Sequence, residues 1–352
     1  MVVIVPKWVL VVLLVAVTFT LCMYEKNAST ESSVKRAIKS IYVGQVDDVV
    51  SAVKLAKSFG ANAVIIDVKD DLGMVTFDMD VPMIEKAPHC MSNISEKINE
   101  LKKNGIYTIA RIVAFKDRVR NDLSIKSRDG SIYIDKEKNQ WLDPYNHKVW
   151  EYLIKISEES VKVGFNEIQF DYLRFSSYLK NDYDNSEINP SQRCKIILQF
   201  LKCACSVINK MGANVSVDVF GCIVEGATDT SASKNSSILG QDYIELVKIV
   251  DYVCPMIYPS HFPLKSMGID NPDLDPYDTV YKFIVLSNKM LDSISNKKAV
   301  IRPYLQAFTA KWLPVYQKYG RKQVCKQIRA VTDAGLRQWG LFDFSCKYDL
   351  AD

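Results

Sequence analysis

A carboxylate stands near the end of a strand-like segment in the middle of the chain. The side chains of residues 167–172 alternate between an apolar and a polar face, and the polar face carries Glu167, Gln169 and Asp171. Two long helix-like stretches flank the segment, which indicates a parallel sheet covered by helices. In a (β/α)8 barrel, inward residues at the C-terminal ends of the strands line the active site. Asp171 is therefore the first candidate for a catalytic carboxylate, and Arg174 follows just beyond it.

A second strand-like segment repeats this pattern. In residues 214–221 the valines occupy one face and Asp218 lies on the other. Two neighbouring carboxyl groups push each other's pKa apart, so that one stays protonated as an acid while its neighbour is ionised. We therefore predict Asp171 and Asp218 as catalytic residues. The structural alternatives are an ion pair between Asp171 and Arg111 or Arg174, and a supporting hydrogen-bonding role for Asp218.

Further polar residues at predicted strand ends form a candidate substrate-binding set. Arginine and glutamine bind sugar hydroxyls, and aromatic rings stack on the C–H faces of sugars. The predicted substrate-binding residues are Asp67, Lys69, Arg111, Trp141, Arg174, Tyr258, His261, Arg302 and Gln306. Asp343 and the aromatic residues Tyr42, Tyr145, Phe262 and Trp339 are placed on the same rim. In the structural alternative, Asp67 pairs with Lys69 inside the barrel and Trp141 belongs to an ordinary turn.

Eight strand-then-helix units are needed to position these residues. The predicted strands lie in residues 40–44, 63–71, 107–115, 164–175, 214–221, 252–258, 299–308 and 338–344. The helices predicted between them include residues 49–59, 95–104, 147–163, 191–211 and 321–334. This rhythm predicts an α/β fold, a (β/α)8 TIM barrel, over residues 31–352. The connection from 116 to 146 is long for a βα loop, which favours a functional role for it.

The N-terminal segment has a different character. Residues 8–24 form a charge-free, almost wholly apolar run between Lys7 and Glu25. A membrane-spanning helix needs about 17–25 residues, and no small-residue cleavage site follows the run. We therefore expect residues 1–30 to be an uncleaved N-terminal membrane anchor, with a cleavable signal peptide as the alternative. The rest of the chain is expected outside the cytoplasm.

Composition and missing motifs exclude several classes of function. The net charge of +4 comes without any block of lysine and arginine, so no nucleic-acid partner is expected. The 9 cysteines show no C-x-x-C and no zinc-ligand spacing, and the 3 histidines argue against a histidine-rich metal site. The chain also lacks a P-loop, a Rossmann glycine fingerprint and a G-x-S-x-G motif. No metal and no cofactor are therefore expected.

Six segments of the chain resemble those of a known family. They are residues 64–73, 110–117, 141–145, 167–175, 252–262 and 302–308. In this order they are similar to a bacterial glycoside hydrolase domain, catalogued largely as a domain of unknown function and distantly related to the α-amylase-like barrels. The resemblance implies a barrel with glycosidase activity. In the amylase-like relatives the carboxylate that ends the fourth strand is the nucleophile, a position that falls on Asp171 here.

The same resemblance implies the general acid. In those relatives the acid comes from the fifth strand, where Asp218 is the matching carboxylate in place of a longer glutamate. The last strand departs from the pattern, because Asp343 stands where a Trp–Asn pair is expected.

These observations predict a membrane-anchored, extracytoplasmic glycoside hydrolase that acts on a cell-surface or extracellular polysaccharide or oligosaccharide. One alternative is a non-catalytic carbohydrate-binding barrel that kept the groove and lost the chemistry. Another is a metal-dependent polysaccharide deacetylase, which needs a His/Asp ligand set that 3 histidines hardly supply. A separation of about 5–5.5 Å between the two carboxyl groups indicates retention, and about 6.5–9.5 Å indicates inversion.

Overall fold

Eight parallel strands close into a barrel in the computed structural model of the chain, which describes residues 37–179, 190–225 and 237–348. The predicted anchor, residues 1–30, lies outside the described residues. Among the helices within the described ranges, none is long and apolar enough to cross a membrane.

The strands follow one another around the barrel almost in chain order. They are β1 (Lys39–Gly44), β2 (Ala63–Lys69), β3 (Val75–Phe77), β4 (Lys86–Met91), β5 (Tyr107–Val113), β6 (Glu167–Asp171), β7 (Asn214–Phe220), β8 (Tyr252–Ile257), β9 (Val300–Ile301), β10 (Tyr304–Gln306) and β11 (Trp339–Phe342). The order around the barrel is β1-β2-β5-β6-β7-β8-β10-β11, and β11 pairs with β1 to complete the circle. The predicted (β/α)8 barrel is confirmed.

Helices connect the strands and cover their outer faces. They are α1 (Val49–Ser58), α2 (Ile94–Lys103), α3 (His147–Lys162), α4 (Pro190–Ile208), α5 (Cys222–Glu225), α6 (Tyr243–Leu246), α7 (Pro276–Leu291) and α8 (Arg321–Asp333). Side-chain caps fix several of the starts: Asp48 accepts the backbone N–H groups of Val50 and Ser51, and Asn146 accepts that of Lys148. The apolar faces of the helices pack on outward strand residues such as Ile168 and Phe170, which are fully buried.

Two parts of the fold differ from the sequence prediction. The single strand predicted over residues 299–308 is broken into β9 and β10, because Pro303 at the break has no N–H group for the strand ladder. The excursion after β2 contains β3, which is antiparallel to β2, and β4, which pairs with β3. Helix α7 was not among the predicted helices.

The inside of the barrel is filled by layers of side chains. Near the N-terminal ends of the strands, Arg302 forms a bidentate ion pair with Glu167, which also accepts the Ser216 hydroxyl at 2.6 Å. One layer higher, the Tyr304 hydroxyl donates to Gln169 at 2.7 Å. Both layers are buried, so the interior is open to solvent only at the C-terminal ends of the strands.

Candidate active site

A cavity of about 480 Å³ lies at the C-terminal ends of the barrel strands and is called the barrel cavity here. Phe170 on β6 pairs in register with Val217 on β7, so the next residues, Asp171 and Asp218, are level on neighbouring strands. Both line the cavity. Parallel strands lie about 4.8 Å apart, which makes these two carboxyl groups close neighbours.

Asp171 is held in place by three N–H groups. Its Oδ2 accepts the Nε and Nη2 of Arg111 at 3.0 and 2.7 Å, and its Oδ1 accepts the backbone N–H of Tyr172 at 2.7 Å. Its side chain is 13% exposed, so it is reachable from the cavity. Because every contact donates to Asp171, the site is arranged for a carboxylate with a fixed orientation.

Arg111, on β5, is the centre of a wider ionic cluster. Its Nη1 donates to Asp67 at 2.8 Å and its Nη2 contacts Asp71 at 3.4 Å, in addition to the pair with Asp171. The Tyr42 hydroxyl donates to the other oxygen of Asp67 at 2.6 Å. Burial lowers the pKa of Arg111, but the charges of Asp67, Asp171 and Asp71 outweigh burial and raise it well above its ordinary value. Arg111 is therefore a permanent cation at the cavity wall.

Asp218 has the opposite environment. It is 2% exposed, and its Oδ1 finds no hydrogen-bond donor within the part of the chain that the structure describes. Burial raises the pKa of Asp218 well above its ordinary value, and the charge of Asp171 adds to that effect. Arg111 and Arg302 act against it without cancelling it. The site therefore pairs one charge-compensated carboxylate with one carboxyl group whose pKa is raised, an environment that favours its protonated form.

Tyr258 and His261 cover the same cavity from the loop after β8. Burial and the charges of Asp218 and Asp171 raise the pKa of Tyr258 well above its ordinary value, so its hydroxyl remains a donor. Burial lowers the pKa of His261, and its Nδ1 lies 3.0 Å from the Ser260 hydroxyl. A neutral imidazole and a phenol are groups that hydrogen-bond sugar hydroxyls without adding charge.

The residue after Asp171 has an unusual backbone. Tyr172 has φ of +49°, in the left-handed region that side chains other than glycine rarely adopt. Its N–H donates to Asp171, and its ring lies next to two cations, with Arg174 Cζ 5.2 Å and Lys116 Nζ 4.6 Å from the ring centre.

Five predicted binding residues do not line the cavity. Asp67 lies behind the cavity wall, where it binds Arg111 and Tyr42. Lys69 is fully buried and pairs with Asp117 at 2.9 Å, because a β-bulge between Asp67 and Lys69 aligns Lys69 with the outward-facing Ile112. Its predicted inward position beside Asp67 is wrong. Arg302 belongs to the ion pair with Glu167 deeper in the barrel.

Gln306 and Trp141 lie behind the cavity rather than on its surface. Gln306 accepts the Ser260 backbone N–H at 3.0 Å and donates to the Phe308 carbonyl at 3.0 Å, which fixes two loops above the strands. Trp141 is buried, and its Nε1 donates to Asp135 at 2.8 Å. A direct role for these residues in sugar binding stays a prediction.

Several lining residues were not predicted. Asp71, Phe220, Tyr304 and Phe342 all border the cavity. Asp71 lies two residues after the end of β2 and Phe220 ends β7, so strand-end position was the available signal. Two of the predicted aromatic residues are at the site, since Phe262 lines the cavity and Tyr42 binds Asp67. The other two are not: Trp339 belongs to the hydrophobic core between strands and helices, and Tyr145 packs on Phe175. Asp343 is buried and accepts the hydroxyl and backbone N–H of Ser345.

No cluster of His, Cys, Asp and Glu with metal-binding geometry occurs among the residues that the structure describes. The cavity itself offers a buried carboxyl group with a raised pKa, a charge-compensated carboxylate, a cation and several hydrogen-bond donors.

Comparison with known proteins places this geometry in context. Residues 38–348 match the family described as "Putative glycosyl hydrolase domain". The glycoside hydrolase domain of PgaB (BpsB) from Bordetella bronchiseptica aligns with a TM-score of 0.63 at 12% identity, covering 88% of this chain and 94% of that domain. The spore cortex-lytic enzyme SleL from Bacillus megaterium aligns with a TM-score of 0.51 at 12% identity, covering 88% of this chain and 71% of the enzyme.

A hypothetical protein from Ruminiclostridium thermocellum is 33% identical over 51% of this chain and 97% of its own length, with a TM-score of 0.42. The two alignments at 12% identity show the fold alone. A search of curated proteins finds no significant match to the chain.

Proposed function

The chain belongs to the glycosyl hydrolase domain family, and from this premise we propose that it hydrolyses a glycan with Asp171 and Asp218 as its catalytic pair. The observation that carries the proposal is the contrast between the two carboxyl groups. Asp171 is charge-compensated by Arg111, while Asp218 is buried beside it without a hydrogen-bond partner for Oδ1 among the described residues. Glycosidases need this combination of one ionised and one protonated carboxyl group.

In the proposed reaction Asp218 donates its proton to the glycosidic oxygen as the C–O bond breaks. The leaving sugar departs as an alcohol, and the Asp171 carboxylate forms a bond to the anomeric carbon. Asp218, now ionised, then accepts a proton from water as the water oxygen displaces Asp171. The hydrogen bonds from Arg111 and Tyr172 hold Asp171 in position through both steps.

The proposed location is outside the cytoplasm, with residues 1–30 as the membrane anchor and a cell-surface or extracellular glycan as the substrate. The support for this location is the apolar run of residues 8–24. The native protein should remain with membranes after a high-salt wash. Recovery from the medium of a protein that begins near Asn27 would instead indicate a cleaved signal peptide.

The test of the proposed reaction is a screen of the purified protein against neutral, amino and acidic polysaccharides, with release of reducing ends as the measurement. Asp171→Asn nearly preserves shape, so folding should survive while turnover falls by several orders of magnitude. A matched control is Asp251→Asn, a carboxylate that precedes β8 at the opposite end of the barrel. Binding without hydrolysis in the wild-type protein would favour the non-catalytic carbohydrate-binding barrel.

A further inference from the structure

Arg174 is a partly buried cation that the proposed reaction does not use. It lines the barrel cavity, and three aromatic rings surround its guanidinium group, whose Cζ lies 4.8 Å from the Trp141 ring centre, 5.2 Å from Tyr172 and 4.7 Å from Phe220. Its Nη1 donates to the Phe175 carbonyl at 3.0 Å. No carboxylate within the described ranges lies at ion-pair distance from it, so most of its N–H donors are available to a ligand.

The other two arginines inside the barrel show how unusual this is. Arg111 contacts three carboxylates and Arg302 pairs with Glu167, and these charges raise the pKa of both arginines well above their ordinary value despite burial. At Arg174 burial lowers the pKa, and the charges of Asp171, Glu137 and Asp135 offset this effect only in part. A partly buried cation without an ion-pair partner is destabilising unless other groups compensate its charge. The aromatic faces supply part of the compensation, and an anion in the cavity would supply the rest.

A second concave surface adjoins the barrel cavity and carries further cations. It has a volume of about 610 Å³, shares Phe344 with the cavity and is called the lysine groove here. Its charged lining residues are Lys311, Lys318, Lys347 and Asp343. Lys311 and Lys347 form no ion pair within the described part of the chain. Asp343 is buried and accepts a hydrogen bond from the Ser345 hydroxyl. The groove therefore presents positive charge along a path that leads away from the catalytic pair.

Aromatic side chains border the same path. Trp312 is 61% exposed and stacks on Phe308 at 5.9 Å with an angle of 26° between the rings, and Phe344 lies 6.3 Å from Phe308. Exposed flat rings next to a cavity suit the apolar faces of sugar rings. The combination of stacking surfaces with lysines fits a polymer whose sugar units carry negative charge.

We propose that the substrate is an acidic glycan, in which Arg174 binds the carboxylate or phosphate of the sugar unit in the barrel cavity and the lysine groove binds the acidic units that follow. This inference rests on the proposed glycosidase function, since it identifies the substrate class of that site. The planar guanidinium fork matches both anions bidentately, and the surrounding rings hold it in one orientation. The lysines act as point charges, so their contribution should decrease with added salt.

The test compares oligosaccharides of similar size that carry negative, no or positive charge. The probes are oligosaccharides of galacturonate and glucuronate, their methyl esters, phosphorylated glucose oligosaccharides and glucosamine oligosaccharides of equal length, with binding measured by calorimetry. The wild-type protein should bind at least one acidic oligosaccharide about tenfold or more tightly than the uncharged or cationic partner, as a charge-assisted hydrogen bond provides. Preference for the phosphorylated probes would identify phosphate as the anion, and preference for the uronates would identify a carboxylate.

Two variants assign this preference to Arg174. Arg174→Gln should lose the preference for the acid, and Arg174→Lys should retain part of it. The matched control is Arg193→Gln, because Arg193 also packs over an aromatic ring, with its Cζ 5.1 Å from the Phe175 ring centre, but does not line the barrel cavity. Equal affinity for acid and methyl ester, an unchanged preference in Arg174→Gln, or no binding of any acidic probe would overturn the proposal.

The lysine groove has a separate readout. Lys311→Ala combined with Lys347→Ala should weaken binding of long acidic oligosaccharides and reduce its salt dependence, while leaving acidic monosaccharides unaffected. An identical loss for long and short ligands would remove the groove from the proposal.

Activity measurements distinguish this inference from the function on which it rests. Cleavage of neutral glycans that depends on Asp171 but not on Arg174 would overturn the acidic-substrate inference and leave the glycosidase function intact. Tight Arg174-dependent binding of acidic oligosaccharides without any Asp171-dependent cleavage would overturn the function and leave the anion site intact.

Discussion

The barrel interior contains two buried charge clusters that differ in completeness. In the lower one, near the N-terminal ends of the strands, Arg302 and Glu167 form a bidentate pair, Ser216 donates to the carboxylate, and the Tyr252 ring lies 4.6 Å from the guanidinium carbon. In the upper one, at the barrel cavity, Arg111 compensates Asp171, but Asp218 keeps an oxygen without a donor among the described residues.

This difference separates stabilising chemistry from reactive chemistry within one protein interior. A buried ion pair that is fully hydrogen-bonded is inert, since each proton and lone pair is already used. A buried carboxyl group with an unused oxygen holds its proton for transfer to a ligand. Asp218 and Glu167 are both almost fully buried, so hydrogen-bond completeness rather than burial distinguishes these two carboxyl groups.

The largest expected effect is the loss of catalytic turnover when Asp218, in the upper cluster, is replaced. Asp218→Asn should reduce turnover of substrates with poor leaving groups by about 10²–10⁴-fold, because these need the proton that Asp218 donates. Aryl glycosides with good leaving groups should lose much less, and the alkaline limb of the pH–rate profile should disappear. Steady-state kinetics on both substrate types measures this, and equal losses would remove the acid role from Asp218.

Breaking the complete cluster should affect folding instead. Glu167→Gln leaves the buried Arg302 without a counter-charge, which should lower the free energy of unfolding by about 3–5 kcal/mol. Chemical denaturation measures the change. The double variant Glu167→Gln with Arg302→Met should recover part of the loss, since it removes the unpaired charge. A loss below about 1 kcal/mol in the single variant would contradict the description of this pair as buried and fully hydrogen-bonded.

Asp218 should make the stability of the folded protein depend on pH. The pKa of Asp218 is raised in the folded protein, so the folded state binds this proton more tightly than the unfolded chain. Relative to Asp218→Asn, wild-type stability should therefore fall as pH rises above about 4, by about 1.4 kcal/mol per pH unit, until the folded pKa is reached. Thermal unfolding of both proteins from pH 4 to 8 measures the difference. A constant difference across this range would contradict the assignment.

The smallest effect is expected at the edge of the upper cluster. Tyr42→Phe removes the hydrogen bond to Asp67, which keeps its ion pair with Arg111. Stability should fall by about 1 kcal/mol and turnover by less than about tenfold. A loss of turnover as large as that of Asp218→Asn would instead indicate a catalytic role for Asp67.

Alternation along the strands was sufficient to predict that Asp171 and Asp218 face the interior of the barrel. A strand has a period of two, so the polar positions of 167–171 and 214–218 had to share one face, and the helices assigned that face to the barrel interior. This logic placed Asp171, Asp218 and Arg111 correctly in the barrel. Roles within the site remain predictions that the kinetic variants test.

The same logic was wrong where the backbone departs from a regular strand. The bulge in β2 shifted Lys69 onto the outward parity, and its partner Asp117 comes from a loop 48 positions away. Proline at 303 divided the strand that was expected to be continuous. The state of Asp218 also depends on what surrounds it in three dimensions, since burial and neighbouring charges act across strands.

The left-handed backbone of Tyr172 has a mechanical consequence for the whole site. A non-glycine residue in this region stores about 1–3 kcal/mol of strain, and the surrounding structure must hold it there. One peptide unit at this point aims an N–H at Asp171 and sets the ring against which Arg174 packs. Tyr172 therefore joins Asp171, through its N–H, to Arg174, through its ring, so that loss of this one backbone conformation should displace both groups.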